Sequence, residues 1–195
     1  MITERFARAL HLAIEAHDGQ LRKGTSTPYI SHPLAVASIS LEHGADEDQA
    51  IAALLHDAIE DGGAAYGPKI KELFGERVSA IVQGCTDGVP DENGKKENWK
   101  QRKEKYLAHL VTTHSDVLLV SGCDKLHNAR AILSDLENIG TKVYDRFNAS
   151  MEETLWYYSE LSKIFSARNS PIATALSVTV ERIHKISLNK LTNTK

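Results

Sequence analysis

Thiols are scarce in this chain, and their placement excludes more than their number. Cys85 and Cys123 lie far apart and belong to no Cys-x-x-Cys pair. Neither a thiolate zinc site nor a disulfide is expected, and both read as reduced, buried cysteines. A long apolar run is also missing. Glu4, Arg5 and Arg8 interrupt the segment Met1–Leu12 at helical spacing, so it is neither a signal peptide nor a membrane span. No later run is long enough to cross a bilayer. The cytoplasm is the expected compartment, and no membrane partner is expected. Basic residues are not in excess either. A formal net charge of −3 argues against general nucleic-acid binding, which needs a basic surface, but leaves room for a local basic pocket facing a small anion.

What is present fits one globular unit. At 195 residues, with 42% hydrophobic and 25% charged content, the chain suits a single domain, 1–195, with a substantial core. Its apolar residues recur at helical intervals. Phe6, Ala9, Leu10, Ala13, Ile14 and His17 predict a first helix that stops at Gly19, and Gln20 to Ser31 reads as a loop carrying Arg22 and Lys23. Pro33 suits the first turn of a second helix ending near Gly44. Asp46 is the expected N-cap of a third, running to about Asp61 before Gly62-Gly63. Shorter helices are expected at 67–74 and 76–84, followed by an exposed polar loop at 87–101 that either rims a cleft or meets a partner. Further helices follow from Trp99 to Thr113, from a cap at Asp116 through Leu133, over 147–168 and over 171–188, with a frayed tail from Asn189. No strand alternation appears. The expected fold class is all-α.

The chemistry is concentrated in Leu54-Leu55-His56-Asp57-Ala58-Ile59-Glu60-Asp61. At about 100° per residue, the four polar side chains fit within an arc of roughly 140° on a continuous helix. Three carboxylates and an imidazole on an otherwise apolar helix repel one another and resist desolvation, and a divalent cation offsets both effects. His32, just before Pro33, and Asp124, in Cys123-Asp124-Lys125-Leu126-His127-Asn128, are the further candidate ligands. Two His and two Asp suit Mn²⁺, Fe²⁺ or Zn²⁺ better than Ca²⁺. Glu60 and Asp61 would then orient and deprotonate a water. Each residue also has a plainer reading: Asp61 as part of a helix-end turn, His32 as a boundary residue, Asp124 as a cap or an ion pair with Arg130, Arg22-Lys23 as a solvated loop.

The order of His32, His56-Asp57 and Asp124 resembles the HD-domain phosphohydrolase superfamily. Ala16-His17-Asp18-Gly19-Gln20-Leu21-Arg22-Lys23, Pro28-Tyr29-Ile30-Ser31-His32-Pro33, Leu54 through Asp61, and Asp124-Lys125-Leu126-His127-Asn128-Ala129-Arg130 look like the hydrolase half of RelA/SpoT enzymes. A chain of this length with that half alone resembles a small alarmone hydrolase. The resemblance covers about residues 5–135. It implies one Mn²⁺ held by His32, His56, Asp57 and Asp124, and water handling by Glu60 and Asp61. It also implies a purine packed on Arg22 and Lys23, and Asn128 near the sugar and phosphates. Lys125 stands where the family has Arg, which keeps the charge but loses the planar fork for phosphate.

The implied reaction is hydrolysis of the 3′-pyrophosphate of guanosine 3′,5′-bis(pyrophosphate) or its pentaphosphate relative, releasing GDP or GTP and pyrophosphate. Two other substrates keep the chemistry: the adenosine counterpart, and the 2′-phosphate of NADPH. A reading of another class is a catalytically silent nucleotide sensor that signals to a partner; Glu60 and Asp61 argue against it.

Overall fold

The computed structural model describes residues 1–88 and 97–192. Its elements, in chain order, are α1 (Glu4–Ala16), α2 (Ser31–Glu42), α3 (Glu47–Leu55), α4 (Ala58–Gly62), α5 (Tyr66–Phe74), α6 (Glu76–Cys85), α7 (Trp99–Thr112), α8 (Ser115–Ile139), a 3₁₀ segment (Gly140–Arg146), α9 (Met151–Ala167) and α10 (Ala173–Thr192). The fold is all-α. A lone bridge between Leu21 and Pro28 closes the loop after α1. No helix among the described residues is long and apolar enough to cross a membrane.

Two helices organise the rest. α3 is apolar on every side, from Ala50 through Leu55, and each of these residues is fully buried; such a helix must be surrounded. It packs against α1, α2, α6 and α8. Its start is fixed by a capping box in which Asp46 accepts from the Gln49 amide and Gln49 accepts in return from the Asp46 amide. α8 is the long spine, packed on α2, α6 and α10. Gly122 lets α9 and the residue just before α10 approach it closely: a Cβ there would lie 2.6 Å from Ile172 Cγ1 and 3.0 Å from Phe165 Cε1. Cys85 and Cys123 are free and buried.

Several boundaries differ from the sequence reading. The helix expected over 47–61 is broken at His56-Asp57. The Ala53 carbonyl, whose helical partner would be the amide of residue 57, accepts instead from His56 Nδ1 at 2.8 Å, and the chain turns before α4 begins. The cap of α8 is His114, whose ring nitrogen accepts from the Asp116 amide. Asp116 itself accepts from Gln49 Nε2 and Arg77 Nε, both at 2.9 Å, tying α3 and α6 to the start of α8. A Ser150–Glu153 capping box starts α9 at Met151 rather than at 147. The tail expected to fray from Asn189 continues α10 to Thr192. Of the loop expected at 87–101, residues 89–96 lie outside the described residues. At its edges Asp87 is not exposed, since Arg102 and Lys103 both pair with it, and Trp99 already belongs to α7.

Candidate active site

The start of α2, the end of α3 and the middle of α8 meet at one point. His32 lies in the first turn of α2, His56 immediately follows α3, Asp57 sits in the break before α4, and Asp124 is buried on α8. The break at His56-Asp57 brings two adjacent residues to the same place, so the arc drawn for a continuous helix does not apply. One nitrogen from each of His32 and His56 and one oxygen of Asp124 lie within 4.8 Å of one another. His32 Nε2 is 3.1 Å from Asp124 Oδ1 and 3.4 Å from Asp57 Oδ2. His56 Nε2 is 3.0 Å from Asp57 Oδ2 and 3.7 Å from Asp124 Oδ1. Asp57 thus reaches both imidazoles but stands outside the tight group of three.

The donor chemistry of this cluster fits a divalent cation. His32 Nε2 and His56 Nε2 are buried and have no hydrogen-bond partner, although buried polar atoms are nearly always satisfied. His56 Nδ1–H donates to Ala53 O, which leaves its Nε2 facing the carboxylates, where a proton or a cation can sit. The charges agree. Burial opposes ionisation of Asp57, but His56 and His32 hold its carboxyl well below the usual range. Burial likewise opposes charge on Asp124, and Lys125 and the two imidazoles outweigh it. Burial disfavours charge on His56 too, yet Asp57 and Asp124 raise its pKa well above normal. The pocket therefore demands positive charge beside its carboxylates.

Surrounding side chains orient these groups. Tyr29 Oη donates to Asp57 Oδ2 at 2.7 Å. On α8, Asn128 lies one turn after Asp124 and donates to Asp124 Oδ1 at 2.6 Å, while Lys125 Nζ donates to Oδ2 at 2.5 Å. Arg22 Nη2 donates to Asn128 Oδ1 at 2.8 Å, and its guanidinium lies 5.5 Å from the centre of the Tyr29 ring. Lys23 Nζ donates to Asn148 Oδ1 at 3.1 Å. Arg22, Lys125 and Asn128 are thus linked to the cluster, and Lys23 lines the cavities beside it. Gly24 holds their loop down: its positive φ of 72° and the Arg146 side chain, which would lie 2.6 Å from a Cβ, leave no room for a larger residue. Glu60 is half-buried on α4, and exposed Asp61 follows it, accepting from Gln20 Nε2 at 3.0 Å.

Two cavities with Lys23, Asn128 and Tyr158 in both linings lie beside the side chains that hold Asp57 and Asp124. One, of about 510 Å³, is lined by Arg22, Lys23, Tyr29, His127, Asn128 and Arg146 among others. The other, of about 230 Å³, is walled by Trp99, Lys103, Lys125, Thr154, Tyr157 and Tyr158. Lys103 was not foreseen. Burial and the nearby Lys125 lower its pKa, against the pull of Asp87. His127 was legible in the motif but carried no role; its Nδ1 lies 2.7 Å from His32 Nδ1. Burial, and then the neighbouring His32 and Arg22, push its pKa down to about 4.

A helical scaffold holding an adjacent His-Asp pair, with a further His and a distant Asp, defines a class. The chain belongs to the HD domain family, whose model matches residues 9–153. It is 40% identical over 131 residues, 66% of its length, to the guanosine-3′,5′-bis(diphosphate) 3′-pyrophosphohydrolase of Aquifex aeolicus. It is 35% identical over 161 residues, 82% of its length, to the bifunctional (p)ppGpp synthase/hydrolase SpoT of Escherichia coli. The chain spans only about a fifth of these relatives, 18% and 21% of their lengths. A solved structure of a metazoan ortholog of SpoT, described as hydrolysing ppGpp, shares the fold with a TM-score of 0.73 at 24% identity, covering 93% of this chain and 97% of that one.

Proposed function

We propose that this chain is a metal-dependent hydrolase that removes the 3′-diphosphate from guanosine 3′,5′-bis(diphosphate). The observation that carries this reading is the convergence of His32, His56, Asp57 and Asp124 next to Tyr29 and Asn128, which line a cavity carrying Arg22, Lys23 and Arg146. The likeness to relatives named for that reaction supports the substrate. His32, His56, Asp57 and Asp124 would hold one divalent cation; the donor set suits Mn²⁺, Fe²⁺ or Zn²⁺ alike, and the family resemblance favours Mn²⁺. Such a cation supplies a more acidic water and offsets charge on phosphoryl oxygens.

The remaining work falls to the chain's own side chains. Glu60 and Asp61 orient the attacking water and take its proton as the bond between the ribose 3′-oxygen and the diphosphate breaks. Tyr29 fixes the Asp57 carboxylate, and Asn128 and Lys125 fix that of Asp124. Arg22 presents a flat cation to the purine, and Lys23 attracts the anionic tail. Lys103 and Lys125 line the smaller cavity and give it the charge to receive phosphate oxygens.

A nucleotide panel with added Mn²⁺ and chromatographic separation of products tests this reading. Guanosine 3′,5′-bis(diphosphate) should yield GDP and pyrophosphate in equal amounts. Cleavage of the adenosine counterpart alone, or of only the NADPH 2′-phosphate, would replace the substrate. Absence of any turnover would favour a nucleotide sensor.

A further inference from the structure

His17 lies directly after α1 and is buried, although no step above uses it. Its Nδ1 is 2.7 Å from Gln20 Oε1, and Gln20 Nε2 is 3.0 Å from Asp61 Oδ2. We infer that His17 and Gln20 are positioning residues that hold the Asp61 carboxylate toward the reacting water. This rests on the role proposed above for Asp61.

The hydrogen-bond polarity of the relay follows from its end. An ionised carboxylate only accepts, so the Gln20 amide must present its NH₂ to Asp61 and its oxygen to His17. His17 Nδ1 must then carry the proton and donate it. Its Nε2 is left as a lone pair, in keeping with the finding that this atom is buried and has no partner. The backbone of Gln20 is pinned at both ends: its N–H donates to His17 O at 3.1 Å, and its carbonyl accepts from the Tyr29 amide at 2.8 Å. The side chain therefore starts from a fixed point.

Asp61 needs such a restraint. It is exposed at the end of the short α4, just before Gly62-Gly63, where a carboxylate otherwise samples several rotamers. The same imidazole also backs the cluster. Its ring lies 4.8 Å from that of Tyr29, whose hydroxyl donates to Asp57 Oδ2. One buried ring thus supports two carboxylates, that of Asp57 in the break between α3 and α4 and that of Asp61 on α4.

Steady-state kinetics and histidine NMR together test the relay. Gln20→Leu, a change at a partly exposed loop position, should lower kcat about 10- to 100-fold, the scale expected of a misplaced catalytic group, while metal content stays full and KM moves less than about twofold. His17→Phe should lose rate similarly, whereas His17→Asn, whose amide can stand in for Nδ1–H, should recover most of it. An unchanged kcat in Gln20→Leu would overturn the inference, as would an Asn variant as slow as the Phe one. In ¹⁵N-histidine spectra of protein loaded with diamagnetic Zn²⁺, His17, assigned by its loss in His17→Asn, should be the Nδ1–H tautomer at pH 8. An Nε2–H tautomer would sink the relay. If the wild type cleaves no nucleotide, the proposed function fails, and the tautomer still decides whether the relay exists.

Discussion

The Nδ1 atoms of His32 and His127 lie 2.7 Å apart, a separation that one N–H···N hydrogen bond spans. If His32 offers Nε2 to a cation, its own Nδ1 carries the proton and donates it, so His127 accepts through a neutral ring. The pKa of His127, pushed down to about 4 by burial and by the neighbouring His32 and Arg22, keeps that ring neutral near pH 7. His127→Ala should weaken metal affinity about 10- to 100-fold, the usual cost of losing an orienting partner. His127→Asn, which still places an acceptor near the same point, should lose much less. Metal titration by calorimetry reads both, and equal affinities in the Ala variant and the wild type would refute the orienting role.

His56→Ala and Asp124→Ala should both lose bound metal, but only one should also lose much stability. His56 donates to the Ala53 carbonyl and faces Asp57, whose carboxylate keeps Tyr29 and His32 as neighbours when His56 is removed. Asp124 pairs with the buried Lys125 ammonium, and removing one partner of a buried pair costs roughly 3–5 kcal/mol. Elemental analysis should find both variants nearly empty, while chemical denaturation should single out Asp124→Ala. Full metal occupancy in either would mean the ligand set is wrong.

Much of this site was legible because its words are local and its helices periodic. The cap at Asp46 and the end of α9 near 168 follow from chemistry within a few residues, whereas the sequence offered Arg130 as the partner of Asp124 and the structure gives it Lys125 and Asn128. The interruption at His56-Asp57 was not legible: apolar periodicity runs straight through it, and the break depends on an imidazole taking a backbone carbonyl. His127 was written in the motif, but its partner His32 is 95 residues away in sequence. Asp87 sits in a polar stretch with no periodic signal and Lys103 on an expected helix whose charged residues read as solvated; their burial near Lys125 exists only once α7 packs on α9.

Glu60→Gln separates binding from chemistry. The amide keeps the size of the side chain but no longer accepts a proton, so kcat should fall roughly 10²-fold or more. Metal content and KM should stay close to those of the wild type. A variant with near-normal kcat would return Glu60 to the role of an ordinary residue of α4.

Gly122→Val tests the packing of α8 against α9 and the residue just before α10 rather than the chemistry. The added Cβ and methyl groups would meet Ile172 and Phe165, both fully buried. Overpacking of this kind costs about 1–3 kcal/mol or more. A thermal midpoint equal to the wild type's would show that the helices can separate without loss.

Arg22 and Lys23 adjoin in sequence but should fail differently. Arg22 donates to Asn128, which donates to Asp124 Oδ1, so Arg22→Ala removes a surface for the purine and also loosens the orientation of a metal ligand. Its kcat should fall along with its affinity. Lys23 is exposed, and its ammonium donates to Asn148 Oδ1, away from the metal ligands. Lys23→Ala should therefore raise KM and leave kcat nearly unchanged, because a contact made equally in the ground and transition states affects binding alone. Part of the Lys23 effect is long-range attraction for an anionic substrate in a chain of net charge −3, so it should shrink as salt shortens the Debye length from about 10 Å at 0.1 M to about 3 Å at 1 M. Steady-state kinetics at two ionic strengths measures this. If KM of Lys23→Ala matches the wild type at both, the loop serves only to hold Arg22 in place.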